Sequence, residues 1–355
     1  METFLRILLA TGAPTLPQMI GGSQRTGDTL LKQLAKRGHH VALTAGLIGK
    51  GWLGLRGRAL MRLTGNRAIK DHLLGYTAYR SWFPWQTAEE VARRFSPEIV
   101  IVQAHATGKV AFAFRDAGQN VVFNFQDNEF RKLGRDLRDF GTIRGVANSD
   151  FTAQAYRSAY GAYCRTIYPL IDRAAYVTAG CGKYVTFINP NPVKGLEKAL
   201  EIAALLPTVP FRFQETWPMP SAERGALRDR LAQMPNVTLA PKVDDMRDVY
   251  AATRVLLVPS KWEEGYGRIA SEAQFSGIPV VGSDRGGLPE AIGQGGIILG
   301  ADDPASAWAQ NIQSLYDNSD LYSTLAMRAR EHANRETLQI EKQIDAWEDM
   351  LAAYL

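Results

Sequence analysis

Cysteine is nearly missing from this chain: Cys164 and Cys181 are the only two in 355 residues. Two thiols cannot build a disulfide framework, and neither stands at a zinc-ligand spacing with histidine, so the pair fits a reducing cytoplasm. Long apolar runs are missing too; none approaches the roughly 18 residues of a membrane span. The opening stretch Met1 to Ala10 carries Glu2 and Arg6 and reads as a strand, not a signal peptide. Low-complexity tracts and short-period repeats are absent. What remains is ordinary globular composition, 46% apolar and 22% charged, at a length that suggests two domains.

The net charge is +5, and it is concentrated. Between Lys50 and Trp82 stand Lys50, Arg56, Arg58, Arg62, Arg67, Lys70 and Arg80 against Asp71 alone, 7 − 1 = +6, leaving the rest of the chain at 5 − 6 = −1. Large apolar residues interleave with these cations: Trp52, Leu53, Leu55, Leu60, Met61, Leu63, Ile69, Leu73, Leu74 and Tyr76, with Trp82, Phe83 and Trp85 just beyond. Residues 50–85 therefore suit peripheral contact with an anionic membrane, or with a lipid-linked acceptor, as well as a solvated helical face backed by core contacts. Nucleic acid fits less well, because the charge is confined to one patch and no fold signature for it occurs.

Apolar strand runs alternate with helical patterns from end to end, which argues for parallel α/β architecture. In the first half the strands read near Leu5–Leu9, Val41–Thr44, Glu98–Gln103, Val121–Phe125 and Gly145–Asn148, with a helix over Thr26–Lys36 closed by Gly38. A second strand-first block runs Tyr184–Ile188, Phe211–Gln214, Val237–Ala240, Arg254–Val258, Val280–Gly282 and Ile297–Leu299. Its helices read near Leu196–Leu206, Ala222–Gln233, Met246–Ala251 and Ala305–Asp317, and two further helical patterns, Leu321–Asn334 and Gln339–Tyr354, close the chain. The halves read as two doubly wound domains joined around residues 168–182.

The segment with most chemistry runs from Pro259 to Ala273, where Glu264 and Glu272 stand eight residues apart around Gly265-Tyr266-Gly267-Arg268-Ile269. A strand precedes it and Ser276-Gly277-Ile278-Pro279 stops the helix that follows, giving strand, glycine-containing loop, helix. Backbone N–H groups and the helix dipole at such a start favour a diphosphate. Glu272 lies about 7–8 Å further along at roughly 1.5 Å per residue, with its side chain tilted back toward the helix start. There it suits a ribose diol, and Glu264 in the loop faces the other end of a nucleotide sugar.

This segment resembles the E-x7-E signature of family 4 retaining glycosyltransferases, and the likeness continues into the Gly-Gly turn of Ser283-Asp284-Arg285-Gly286-Gly287-Leu288-Pro289-Glu290. The resemblance implies a GT-B fold: two Rossmann-like doubly wound parallel-sheet domains facing a cleft, with the C-terminal helix crossing back to the first. The domains then read as residues 1–172 with 336–355 on the acceptor side, and 173–335 for the nucleotide sugar. Gly21-Gly22-Ser23 is no G-x-G-x-x-G fingerprint, but it matches the family's glycine loop, which lets backbone approach donor phosphates or acceptor. Gly38-His39-His40-Val41 matches the family's Gly-His-x-Val, with both histidines structural.

By the same resemblance Lys194 neutralises diphosphate as a point charge. The arginine usual five residues earlier is replaced by Asn189, which keeps an amide and loses a charge that Arg268 is placed to supply. Gln126 stands where the family has a histidine after the fourth strand, in Phe123-Asn124-Phe125-Gln126-Asp127-Asn128. Glutamine can hydrogen-bond a sugar hydroxyl but cannot exchange protons near neutral pH. Asp127 is then the nearest acid or base, and His105, after the third strand, is a further acceptor-side candidate. In the family the loop holding Val243 contacts the base mainly through backbone, while Asp244 or Asp245 caps the helix near Met246. No metal and no cofactor are assigned.

The expected activity is transfer of a sugar from a UDP- or GDP-sugar, UDP ahead of GDP, to a hydroxyl of a saccharide or lipid-linked acceptor. The setting is cytoplasmic, with cell-envelope, exopolysaccharide or glycolipid assembly as the purpose. Two alternatives remain open. A catalytically weak nucleotide-sugar-binding partner subunit is kept alive by Asn189 and Gln126, and a GT-B epimerase shares the scaffold.

Overall fold

A computed structural model describes residues 4–179 and 182–354, leaving Glu2 and Cys181 outside the described residues. The chain divides into two compact units, Met1–Leu170 with Ile340–Leu355, and Ile171–Gln339. Each is built on one sheet with helices on both faces.

The first unit has eight strands: β1 (Arg6–Pro14), β2 (His40–Gly46), β3 (Ile69–Asp71), β4 (Thr77–Ser81), β5 (Ile99–Gln103), β6 (Val121–Phe125), β7 (Arg144–Ala147) and β8 (Tyr163–Thr166). Their order is β3-β4-β2-β1-β5-β6-β7-β8, parallel except where β3 runs against β4. Strands covered on both faces read as continuous apolar runs, as in the fully buried Ile99–Gln103. The two-residue period then sends alternate side chains to separate cores. Leu8, Val100, Val102 and Phe123 join Phe112 and Phe114 on one face, while Ile7, Leu9, Ile99, Ile101 and Val122 join Leu30, Leu31 and Leu34 on the other. The Ile340–Ala352 helix packs into the second of these cores through Ile344, Trp347, Met350 and Leu351. Arg37 anchors it with ion pairs to Glu341, Asp345 and Glu348. His39 accepts from the Leu5 N–H at 3.1 Å and contacts Glu348 at 3.0 Å, so its ring works in the frame.

The second unit has six parallel strands: β9 (Tyr184–Ile188), β10 (Phe211–Gln214), β11 (Val237–Ala240), β12 (Thr253–Val258), β13 (Val280–Ser283) and β14 (Gly296–Leu299). Their order is β11-β10-β9-β12-β13-β14. The chain thus jumps from one sheet edge to the centre between β11 and β12, and β9 and β12 lie side by side. Loops that leave the carboxyl ends of such neighbouring strands form the usual ligand crevice of an open α/β sheet.

Residues 50–85 are not one amphipathic surface. They fold as a helix, Gly51–Thr64, then β3, β4 and a short 3-10 turn at Pro84–Gln86. β4 is an interior strand, and its Arg80 is fully buried with Nε bonded to Asp71 at 2.6 Å and Nη2 donating to the Leu16 carbonyl at 2.9 Å. Arg80 and Asp71 therefore leave the surface charge count, and the remaining six cations of the segment face no exposed acid within it. Removing one partner of a buried ion pair strands the other charge. Asp71→Ala should cost about 3–5 kcal/mol in denaturant unfolding, and replacing both residues by apolar ones should cost much less. A single-variant loss below about 1 kcal/mol would mean the pair is not desolvated.

Candidate functional site

In the second unit the turn after β9 meets the loop after β12. Asn191 accepts from the Lys194 N–H at 3.1 Å, closing a 3-10 turn over Pro192–Lys194. Gly195 follows at φ +87°, and a Cβ there would lie 1.9 Å from the Pro259 carbonyl oxygen. Only glycine allows this approach, which presses the Lys194 turn against the start of the other loop. Lys261 and Trp262 both donate backbone N–H groups to the Val193 carbonyl, at 3.1 and 3.2 Å.

Glu264 is fixed from the opposite side. It pairs with Gly286 in a short parallel bridge, and its carbonyl accepts from Gly287 N at 2.7 Å. Gly286 has φ +63°, and a Cβ would lie 2.2 Å from the Glu264 carbonyl oxygen, so the Gly-Gly turn serves to hold this glutamate. The Glu264 carboxylate accepts from Ser260 Oγ at 2.9 Å and from the Lys194 ammonium. Lys194 Nζ also lies 5.2 Å from the centre of the Trp217 ring. Both charged groups are mostly shielded from solvent.

Asn189 determines where Trp217 sits. At φ +59° its Oδ1 accepts from Thr216 N at 3.0 Å, Thr216 Oγ1 at 2.7 Å and Trp217 N at 2.8 Å. The residue at the expected arginine position is therefore a clamp on the turn after β10, with its oxygen fully engaged. Trp217, Ser260 and Tyr250 escaped the sequence reading, since none carries a spacing signal and each matters through a long-range contact.

Glu272 belongs to the seven-residue Arg268–Gln274 helix and is buried. Its Oε2 accepts from the Tyr250 hydroxyl at 2.9 Å, and Arg268 Nε lies 3.4 Å from its Oε1. Burial and then the adjacent Glu272 carboxylate push the Tyr250 hydroxyl far above its ordinary pKa, so it stays a donor. Each Glu272 oxygen keeps a second lone pair for an incoming hydroxyl. Gly267 precedes the helix at φ +95°, against Leu288. The Tyr266 side chain turns inward, bonded to Ser271 Oγ at 2.8 Å and to Arg335 at 2.9 Å, so only its backbone is available to a ligand. Gly265 is buried, while Arg268 and Ile269 are half-buried at the helix start. Val243, also half-buried, precedes Asp245, whose carboxylate accepts from Arg247 N at 2.9 Å and caps the Met246–Ala252 helix.

The remaining candidates lie in the first unit, Gly22 expected on the donor side and Gly21, His105, Gln126 and Asp127 toward the acceptor. Gly21 is the extended N-cap and Gly22 the first residue of the Gly22–Lys36 helix. His105 is exposed between Ala104 and Ala106, whose φ values of +61° and +58° place both in the left-handed region. A chain of side-chain amides crosses from that helix to β7. Gln103 Nε2 donates to the Ser23 carbonyl at 3.2 Å, and Asn124 Nδ2 to Gln103 Oε1 at 3.0 Å. Gln126 Nε2 then donates to Asn124 Oδ1 at 2.6 Å, and Asn148 Nδ2 to the Gln126 carbonyl at 2.8 Å. Gln126 thus links Asn124, through its side chain, to Asn148, through its carbonyl. Next to it Asp127 accepts from Glu129 N at 3.0 Å, in a small pocket shared with Lys132 and Tyr156.

Residues 190–318, which contain Lys194, Glu264, Glu272 and the Gly-Gly turn, match the family described as glycosyl transferases group 1. The chain carries a group 1 glycosyltransferase domain on a GT-B fold. This is the family 4-like assignment to which the E-x7-E segment pointed. Among relatives of this domain, the D-inositol 3-phosphate glycosyltransferase of Corynebacterium kroppenstedtii is 42% identical over 100 residues, 27% of this chain and 22% of that protein. The Corynebacterium efficiens counterpart is 37% identical over 92 residues, 25% of this chain and 21% of its own length. The match thus spans about a fifth of these relatives. Over 98% of this chain, the fold matches sucrose-phosphate synthase from Thermosynechococcus elongatus and Anabaena HepE solved with UDP-glucose. Both superpose at TM-score 0.76, with 18% and 16% identity and 99% of each of those chains covered.

Desolvation raises the Asp127 pKa, partly offset by the Glu129 N–H. The native state therefore holds this proton more readily than the unfolded chain, and stability falls as pH rises from the ordinary carboxylate range through the raised value. Asp127→Asn should melt above the wild type at neutral pH, with the gap closing as pH drops below that range. Thermal melts across pH test this, and a gap that does not change with pH would contradict it.

Proposed function

We propose that the protein is a retaining glycosyltransferase that takes its sugar from a nucleoside-diphosphate sugar, a UDP-sugar ahead of a GDP-sugar. The observation that carries the reading is the convergence of Lys194 and Glu264 from loops after two adjacent strands, with Glu272 eight residues beyond Glu264. Lys194, a cation for diphosphate, contacts Glu264, and Arg268 contacts Glu272, so two carboxylates that can accept from sugar and ribose hydroxyls each stand beside a cation. That HepE, of like fold, was solved with UDP-glucose supports the choice of UDP.

In the reaction the bond between the anomeric carbon and the diphosphate oxygen breaks, and an acceptor hydroxyl oxygen bonds to that carbon from the same face. The departing phosphate oxygen takes the hydroxyl proton, so the step needs no separate base. Lys194, Arg268 and backbone N–H groups from Gly265 to Ile269 balance the negative charge that develops on the leaving group. Neither a metal nor a cofactor is assigned. Glu264 orients the sugar, Glu272 the ribose, and backbone near Val243 contacts the base. Gly22 approaches the donor phosphates, while Gly21 and His105 serve the acceptor side with Gln126 and Asp127 beside them, where a saccharide or lipid-linked hydroxyl enters during cell-envelope, exopolysaccharide or glycolipid assembly. The reading places the enzyme in the cytoplasm, peripheral to the membrane. Among the described residues no helix is long and apolar enough to cross one.

A binding-only partner subunit is the second reading, favoured by the three contacts that occupy the Asn189 oxygen and by the Gln126 amide bond to Asn124. The two are separated by following slow diphosphate release from a panel of nucleoside-diphosphate sugars. The transferase reading predicts hydrolysis of one donor, about 100- to 1,000-fold slower in Lys194→Ala. It also predicts about 10-fold or more weaker donor binding in Glu272→Ala. Thermal stabilisation by a donor without turnover, even with candidate acceptors present, would support the binding subunit. No response to any donor would overturn both.

A further inference from the structure

The helix Gly51–Thr64 buries one side and leaves the other uncovered. Leu53, Gly54 and Gly57 are buried, and Leu53 packs with Leu47 and Ile69 while Leu60 and Met61 lean on the same cluster. Trp52, Leu55, Ala59 and Leu63 recur at helical spacing on the opposite side, and all four are exposed: Trp52 at 64%, Leu55 at 58% and Leu63 at 82% among the large ones. Helical phase puts Arg56 on one shoulder of this stripe and Arg58 and Arg62 on the other. Apolar side chains normally face inward on a helix with one buried side, so a second apolar stripe facing outward needs its own explanation.

The surroundings extend the patch. Trp82 and Phe83 are exposed, and the Trp82 indole borders Gly49 just before the helix, 3.4 Å from where a Cβ would stand. The loop with exposed Met19 and Ile20 is tied to the same corner by Gln18, which bonds Ile48 N at 3.0 Å and Ile48 O at 2.8 Å. No acidic residue occurs from Lys50 to Lys70, and the following Asp71 is buried on Arg80. The Glu90 carboxylate reaches only the far end of the segment, at the Arg67 and Ala68 N–H groups, and the helix itself carries no acid to offset Arg56, Arg58 and Arg62.

We propose that this face docks the protein on a bilayer containing anionic lipid, with Trp52, Leu55 and Leu63 entering the headgroup boundary and Arg56, Arg58 and Arg62 contacting lipid phosphates. An apolar stripe between cationic shoulders, with a tryptophan at one end, is the arrangement an interfacial helix needs. The absence of any acid in the helix favours an anionic partner, and a flat bilayer accommodates an apolar row that runs the length of a helix. The proposal specifies the membrane contact suggested above and stands independently of the sugar-transfer chemistry.

The test is co-sedimentation of the full-length protein with phosphatidylcholine vesicles and with vesicles that also contain phosphatidylglycerol. Two variants accompany it, Arg56→Glu/Arg58→Glu/Arg62→Glu and Trp52→Ser/Leu63→Ser. Binding should be about tenfold or more stronger with phosphatidylglycerol, should weaken as salt is added, and should fall about tenfold or more in either variant. Melting temperature and acceptor-free donor hydrolysis are read in parallel and should not change, so loss of vesicle binding is distinguishable from misfolding and from failure of the donor site. Equal binding to both vesicle types, or wild-type binding by both variants, would overturn the proposal. So would a solution dimer that Trp52→Ser/Leu63→Ser converts to monomer, because the face would then join two copies of the chain.

Discussion

The contact between Lys194 and Glu264 is the constraint on which the candidate site of the second unit depends. Each residue sits on a loop that could go elsewhere, and each loop is held by backbone contacts that only glycine permits, Gly195 against Pro259 and Gly286 against Glu264. The ammonium and the carboxylate neutralise one another in a shielded place, where an uncompensated charge would be costly. On the proposed function a nucleotide sugar offers each a better partner, diphosphate for the lysine and hydroxyls for the glutamate. Ligand entry on this account exchanges one charge-assisted contact for several, and the site is assembled before the ligand arrives.

The two units treat polar groups at their strand ends differently. In the second unit charge is gathered around a few side chains: Lys194 over Trp217, Glu264 on Ser260, Glu272 on Tyr250 and Arg268. In the first, neutral amides are chained from Gln103 through Asn124 to Gln126, with each link buried or half-buried. Such a chain rigidifies without carrying charge, and it suits recognition of hydroxyls better than stabilisation of an anion. Burial disfavours the charged form of the Asp127 carboxyl beside it.

Much of this was legible in the residues. The strand, loop and helix around Glu264 and Glu272 were readable from apolar runs and from Ser276-Gly277-Ile278-Pro279, because local chemistry dictates them. The central strands of both sheets were equally plain as runs such as Ile99–Gln103. Three strands were missed: β3 and β8 are short edge strands, and β4 carries Arg80, whose charge disguised it as surface. Only a long-range partner, Asp71 on the neighbouring strand, makes that arginine an interior residue. The same limit applies to Asn189. Its loss of charge was visible in the sequence, but its three acceptor contacts to Thr216 and Trp217 depend on how β9 and β10 align. Tyr266 reads as a loop residue available to ligand, yet its ring is committed to Ser271 and Arg335.

The most direct test of the exchange at Lys194 and Glu264 is calorimetric titration of UDP into the wild type and into Glu264→Gln, with donor hydrolysis measured on the same samples. Glutamine keeps the shape and the contact to Ser260 but releases the ammonium. The account predicts that the variant binds UDP at least as tightly as the wild type while hydrolysing UDP-sugar about a hundredfold more slowly. A variant whose UDP affinity falls together with its rate, or one unchanged in both, would contradict it.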